Sequence, residues 1–352
     1  MDINLLIPNQ GSIPVSALWF EGLGVLTLSL HFIVVNILLG SGLIAAYFFF
    51  KERDSYIYKT VSPKLPTLFA LSVNLGIPPL LFLQVVHGNY FYTSAVISAI
   101  WWMLSVFLFI AGYSAFYLHQ HRQFHTPIKT PACLLAGITT IVAISLILTS
   151  VLTNMENPEQ WEMYFHNASG TILNLFSSTT VPRYLHFIFS SIAIGGLFIA
   201  LTIRCSKKLA PDKIESIKMT AMKIFAGATM IQMATGLWWI ISLKQNVMLA
   251  LMGGKKSATM ILAFAVLLTL PALAAGFTGK VKSAAVWVGL TVLAMTALRA
   301  VVRSLTLNEY NTAEVKVLGE ISPLIVFLVL LLLGLAVLWY MLKLGFKQER
   351  EV

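Results

Sequence analysis

Runs of eighteen or more apolar residues recur along the whole chain, and no other feature narrows its fold as much. A hydrophobic segment of that length with few charges reads as a membrane-crossing helix, because a helix satisfies its own backbone polar groups in hydrocarbon. Of the 352 residues 58% are hydrophobic and only 11% charged, where soluble domains carry roughly a quarter charged residues. The expectation is an all-α polytopic membrane protein, one domain over residues 1–352. Residues 1–24 read as an N-terminal segment in which Ile13 to Leu23, with Glu21, lies as an interfacial helix. Residues 25–344 hold about nine spans, near 25–50, 65–86, 94–118, 132–152, 182–201, 219–243, 257–277, 284–302 and 321–344, and 345–352 form a tail. The first residues lack the basic start and apolar core of a cleavable signal peptide.

The net charge of +10 does not point to nucleic acid, because the basic residues sit in short loops between apolar runs. One set of loops holds Lys51, Arg53, Lys59, Lys64, Arg122, Lys129, Arg204, Lys207, Lys208, Lys213, Lys280 and Lys282, and the tail adds Lys343, Lys347 and Arg350. The other set is neutral at 87–93 and acidic at 153–180, with a few lysines at 244–256, so the bias holds in every loop but one. The positive-inside rule then places the N-terminus outside and the C-terminus in the cytoplasm. On this reading His87, His186, Met260 and Arg303 fall near the outer ends of their helices, with His31 in the first two turns of its own. His119, His121 and His125 fall at the opposite end as solvated loop residues. Cys133 and Cys205 are isolated, which excludes a covalently attached haem or a cysteine-ligated cluster within this chain.

A neutral imidazole at membrane depth is costly unless something binds it, so His186, in VPRYLHFIFSSIAIGGLFIAL, is the leading candidate site. Haem iron takes His/His or His/Met axial ligands, presented inward by facing helices. His186 with Met260 fits that chemistry, and His31 and His87 are candidates for a second b haem. Arg183, one turn before His186, and Arg299 and Arg303, four apart on one face, suit haem propionates. The plain alternatives are a histidine bonded to a neighbouring helix, a methionine filling a gap, and arginines snorkelling to the surface.

These segments resemble subunit I of the cytochrome bd-type quinol oxidases over nearly the whole chain. LTLSLHFIVVNILLGSGLIAAYF is similar to the family's first helix, NLGIPPLLFLQVVHGNYF to the end of its second, and SATMILAFAVLL to the helix with the methionine ligand. The resemblance implies a bacterial inner-membrane bundle with haem b ligated at His186 and Met260 and a further haem ligand at His31. The departures are as specific. Trp101 and Phe109 stand where the family has two glutamates, Gln84 where it has a third, and Thr296 near a fourth. The GRQPW-like motif is missing, and the outer quinol loop is cut to Lys244–Lys256.

With the acids of oxygen reduction gone, the expectation is an electron-transfer subunit exchanging electrons between the quinone pool and a periplasmic carrier, such as a multihaem cytochrome c. The loop around Trp161, Tyr164 and Phe165 offers it a docking surface. Lys244, Lys255, Lys256 and Glu320 are candidates for the quinone. The rival readings are a haem-free membrane anchor, a terminal oxidase with relocated carboxylates, and a transporter.

Overall fold

The computed structural model describes the backbone over residues 3–52, 55–125, 130–206, 209–310 and 316–351. Side chains are described over 5–52, 55–121, 131–206, 209–310, 316–337, 339 and 340. The described residues form helices α1 (Ala17–Lys51), α2 (Tyr56–Val61), α3 (Leu65–Ile97), α4 (Ala99–His125), α5 (Thr130–Met155) and α6 (Met163–His166). There follow α7 (Thr180–Arg204), α8 (Pro211–Ile241), α9 (Gln245–Leu249), α10 (Lys256–Phe277), α11 (Val281–Leu307) and α12 (Ser322–Glu351). Eight helices, α1, α3, α4, α5, α7, α8, α10 and α11, are long and apolar enough to cross a membrane. The ninth expected span falls in α12, whose described apolar part is Ser322–Val337.

Two expectations are corrected at the start of the chain. No separate interfacial helix covers Ile13–Leu23, because α1 begins at Ala17 and continues unbroken to Lys51. Ile13 is instead extended and bridges Val317, donating its N–H to the Lys316 carbonyl at 2.9 Å. The long α1 also lowers His31, which lies fourteen residues into the helix, a rise of roughly 20 Å rather than two turns. In α3 the helical geometry breaks at His87 (φ −130°, ψ 31°), eight residues beyond Pro79. At the opposite end His119 is fully buried in α4 against Tyr58, so it is not a solvated loop residue.

Two four-helix halves make up the bundle. In the first, α1 packs on α3 and α4 on α5; in the second, α7 packs on α8 and α10 on α11. The sequences of α1 and α7 repeat one another at a spacing of 155 residues. Leu30-His31-Phe32-Ile33 matches Leu185-His186-Phe187-Ile188, and Ile37, Gly40, Ile44 and Ala45 match Ile192, Gly195, Ile199 and Ala200. The halves join where α1 and α7 run side by side at these glycines. A Cβ on Gly40 would lie 1.6 Å from the Ser191 carbonyl oxygen, and one on Gly195 would lie 2.4 Å from the Gly40 carbonyl carbon. Only hydrogen fits there, so two backbones touch. Around the crossing the main apolar core gathers Leu38, Leu39, Leu197, Ile199, Met222 and Phe225. Asn36 extends the contact, accepting from Ser191 Oγ at 2.7 Å and donating to Ser190 Oγ at 3.2 Å.

Loops at the two ends of the bundle tie separately. At one end Lys244 meets Glu159 at 2.8 Å, and the Ile100 N–H donates to the Gly170 carbonyl. At the other, Tyr56 bonds Ser206 at 2.6 Å and Gln120 donates to the Pro63 carbonyl.

Candidate functional site

A cavity of about 530 Å³ runs between the halves, within the range of roughly 300–1,000 Å³ usual for ligand sites. It is lined from α1, α3, α4, α5, α7, α8 and α11, and its wall includes His31, His87, His186, Arg183, Arg299 and Arg303. Six of the seven candidate residues are thus brought to one chamber. Met260 is not: it is 70% exposed on α10 and takes no part in the lining. The expected His186–Met260 pair is therefore not formed. The methionine that does line the chamber is Met295 of α11.

His31 and His186 are held in the same way. His31 Nδ1 donates to the Ser72 carbonyl of α3 at 3.0 Å, and His186 Nδ1 donates to the Gln232 carbonyl of α8 at 2.9 Å. A carbonyl only accepts, so each Nδ1 bears the ring proton and each Nε2 is left as a free lone pair. Four residues beyond each carbonyl stands a glycine. A Cβ on Gly76 would approach His31 Cε1 to 3.0 Å, and one on Gly236 would approach His186 Cε1 and Nδ1 to 3.0 Å. Each imidazole thus lies in a notch in the neighbouring helix, fixed in tautomer and direction. A hydrogen bond from Nδ1 to a carbonyl is also how proteins orient histidines that ligate metal through Nε2.

Their depth follows from the glycine crossing. His31 precedes Gly40 by nine residues and His186 precedes Gly195 by the same nine. Both rings therefore sit at one level, roughly 13 Å along the parallel helices from the crossing. His87 does not share that level, since it lies fifteen residues from Ser72 on α3, a rise of roughly 20 Å. The expectation that all the candidate ligands gather at one outer level is corrected accordingly.

Cations collect toward the end of the chamber where the N-terminal segment lies. Arg183 pairs with Glu156, the two side chains being 11% and 8% exposed, and its guanidinium stands 5.6 Å from the Trp239 ring. Arg299 stands 5.9 Å from the ring of Phe32, next to His31. Burial alone would push the Glu156 carboxyl up. Arg183, Arg299 and Arg303 outweigh it and hold the carboxyl below its ordinary value. Three buried donors, Arg183 Nε, Arg303 Nε and Trp239 Nε1, have no acceptor among the described residues. Leaving a buried donor unpaired costs about 1–3 kcal/mol, so this wall suits an acidic group rich in acceptor oxygens.

The chamber also holds an acid that the sequence reading placed elsewhere. Glu21, in the first turns of α1, lines its wall. The positions read as lost glutamates are satisfied without acid: Trp101 Nε1 donates to the Thr171 carbonyl at 2.8 Å, and Thr296 shares a 2.6 Å hydrogen bond with Ser29. Lys244 is engaged with Glu159, Glu309 and Tyr310, whereas Lys255, Lys256 and Glu320 are exposed. Trp161 is 2% exposed and donates to the Asn154 carbonyl, so it offers no docking surface, while Phe165 is open.

Sequence reasoning missed Ser72, Gly76, Gln232, Gly236 and Trp239. The signal that could have led to four of them is the LHFI repeat at 30–33 and 185–188, which marks two equivalent histidines and invites a search for two equivalent sockets. No family model, curated protein or solved structure matches the chain.

Proposed function

We propose that this chain is a membrane cytochrome b-type electron-transfer subunit, a relative of cytochrome bd subunit I without its oxygen chemistry. The reading rests on one observation: two identically built histidine sockets, each leaving Nε2 free, face a single buried chamber. A haem b bound there would supply one-electron transfer. His31 and His186 would each offer Nε2 to an iron, while Ser72 and Gln232 hold the rings through Nδ1–H. Arg183, Arg303 and Trp239 would donate to the propionates, meeting the three donors that the protein leaves unpaired. His87 and Met295 stand ready on the same wall as further ligands. The apolar wall around them excludes water, and Arg299 keeps positive charge near the His31 socket.

Around that site the wider reading is as follows. The chain resides in a bacterial inner membrane with its N-terminus outside, supported by the basic bias of one set of loops. Electrons pass between the quinone pool and a periplasmic carrier, such as a multihaem cytochrome c, docked near the exposed Phe165 and Phe176.

The test is a pyridine haemochrome assay of the purified chain, with quinol reduction followed under anaerobic conditions. Two b haems per chain are expected, falling to one in His31→Ala and one in His186→Ala. A chain with no Soret band is a haem-free anchor, and that result overturns the proposal. Haem that quinol fails to reduce overturns the electron-transfer role.

A further inference from the structure

The end of the bundle opposite the histidine chamber's cation cluster has a second concavity, of about 540 Å³, between α7, α8 and the turn that leads into α11. Arg204, Lys218, Lys280 and Lys282 line it, with Glu215 as its single carboxylate. Glu215 is taken by Lys218 at 2.6 Å, one helical turn away. Arg204, Lys280 and Lys282 make no ion pair among the described residues.

The backbone adds to the same charge. Gly279, at φ +66°, turns the chain sharply between α10 and α11, where a side chain would be strained. The turn sets Lys280 at the start of α11 with no side-chain cap on the helix. The first N–H groups of this 27-residue helix therefore have no intrahelical partner, and the positive end of its dipole faces the concavity. The Val281 N–H is taken by the Gly279 carbonyl at 3.0 Å, which leaves the Lys282 and Ser283 N–H groups to meet the cationic side chains in one place, as donors.

Its position decides what kind of anion fits. Arg204 is the last residue of α7 and Lys280 adjoins the first of α11, both membrane-crossing helices, so the concavity opens at the bilayer boundary. Next to it the surface turns apolar. Phe277 is exposed before the turn, and Val286, Leu290 and Leu293 continue from Lys282 along one stripe of α11. Phosphate oxygens would be met by the cations and acyl chains by the stripe.

We propose that this concavity is a binding site for the headgroup of an anionic phospholipid bearing two phosphodiesters, with its chains lying along α11. Basic pockets between transmembrane helices at a membrane face bind such headgroups in this manner. The site is independent of the haem reading.

The experiment uses the full chain purified in a non-ionic detergent, read by native mass spectrometry and by thermal melting. The probes are cardiolipin, phosphatidylglycerol, phosphatidylcholine and inorganic phosphate. Cardiolipin is expected to remain bound and raise the melting temperature, phosphatidylglycerol to do so more weakly, and phosphatidylcholine not at all. In R204Q/K280Q/K282Q, cardiolipin binding should weaken about tenfold or more, while the equally neutralised K51Q/K59Q/K64Q keeps it within about twofold. Should the first triple variant melt early without lipid, the single changes K280Q and K282Q are read instead, each expected to weaken binding about threefold. Equal binding by both triple variants, and by the single variants, overturns the site. Inorganic phosphate that displaces cardiolipin at millimolar concentration, and matches its thermal shift, overturns the lipid as its occupant.

Discussion

Gly40 of α1 and Gly195 of α7 touch backbone to backbone, and this contact sets the spacing of everything built on the two helices. Because a Cβ at either position meets main-chain atoms rather than a movable side chain, alanine must drive the helices apart. G40A and G195A are each expected to cost about 3 kcal/mol, the upper range of overpacking, seen as a lowered melting temperature in detergent. Gly227, with nothing within 4 Å of its would-be Cβ, is the control. G227A should be neutral or stabilising by about 0.5–1 kcal/mol, as alanine is over glycine in a helix.

Gly76 and Gly236 serve the sockets rather than the crossing. A methyl group at either would press on the imidazole at 3.0 Å and turn it from the carbonyl that fixes its tautomer. On the proposed function, G236A perturbs the absorbance and reduction potential of the haem held by His186, and G76A that of the haem at His31. Each should leave the other signal alone. M260L should change neither, because Met260 faces away from the chamber. A lost or shifted band in M260L would mean that this methionine turns inward.

Arg183 and Glu156 form a nearly buried pair, and removing one partner strands the other. R183A should therefore destabilise by about 3–5 kcal/mol, with the double variant R183A/E156Q recovering most of that loss. The melting temperatures of the four proteins in the cycle measure the coupling directly. Additive effects would show that the two charges are solvated and independent.

The same pair gives a pH dependence of definite sign. Arg183, Arg299 and Arg303 hold the Glu156 carboxyl below its ordinary value of 4.5. A group whose pKa is depressed by folding contributes stability above its unfolded value, and that stability is lost as pH falls through the folded one. The melting temperature should therefore be level above pH 4.5 as far as Glu156 is concerned, and decline below it. E156Q should flatten that acid decline.

At the surface, Lys244 joins Glu159 and Tyr310 and so ties three loops, with contacts of 2.8 Å and 2.5 Å. Burial lowers the lysine's proton affinity, but its bonds to Glu159 and Tyr310 outweigh that and raise it. Glu159 is mostly solvent-exposed, so K244A should cost only about 0.2–1 kcal/mol. A larger loss in thermal melting would mean that these loops order the chamber's end.

The order of the membrane helices and the apolar middle of each followed from the sequence by itself, because a segment of eighteen apolar residues has one stable state in hydrocarbon whatever surrounds it; their ends did not, since α1 starts at Ala17 and α3 runs on to Ile97. His31, His87, His186 and the arginines stood out for the same local reason, the cost of a polar side chain at membrane depth. Tertiary structure decided which of them meet. A helix satisfies its own backbone, so its sequence says little about which face turns inward, and Met260, plausible by type and spacing, faces out. The depth of His31 depended on where α1 begins, and Ile13 reached its strand-like pairing only through Val317, some three hundred residues away. The socket glycines were invisible for the same physical reason: their meaning lies in the missing methyl group that would have met another helix.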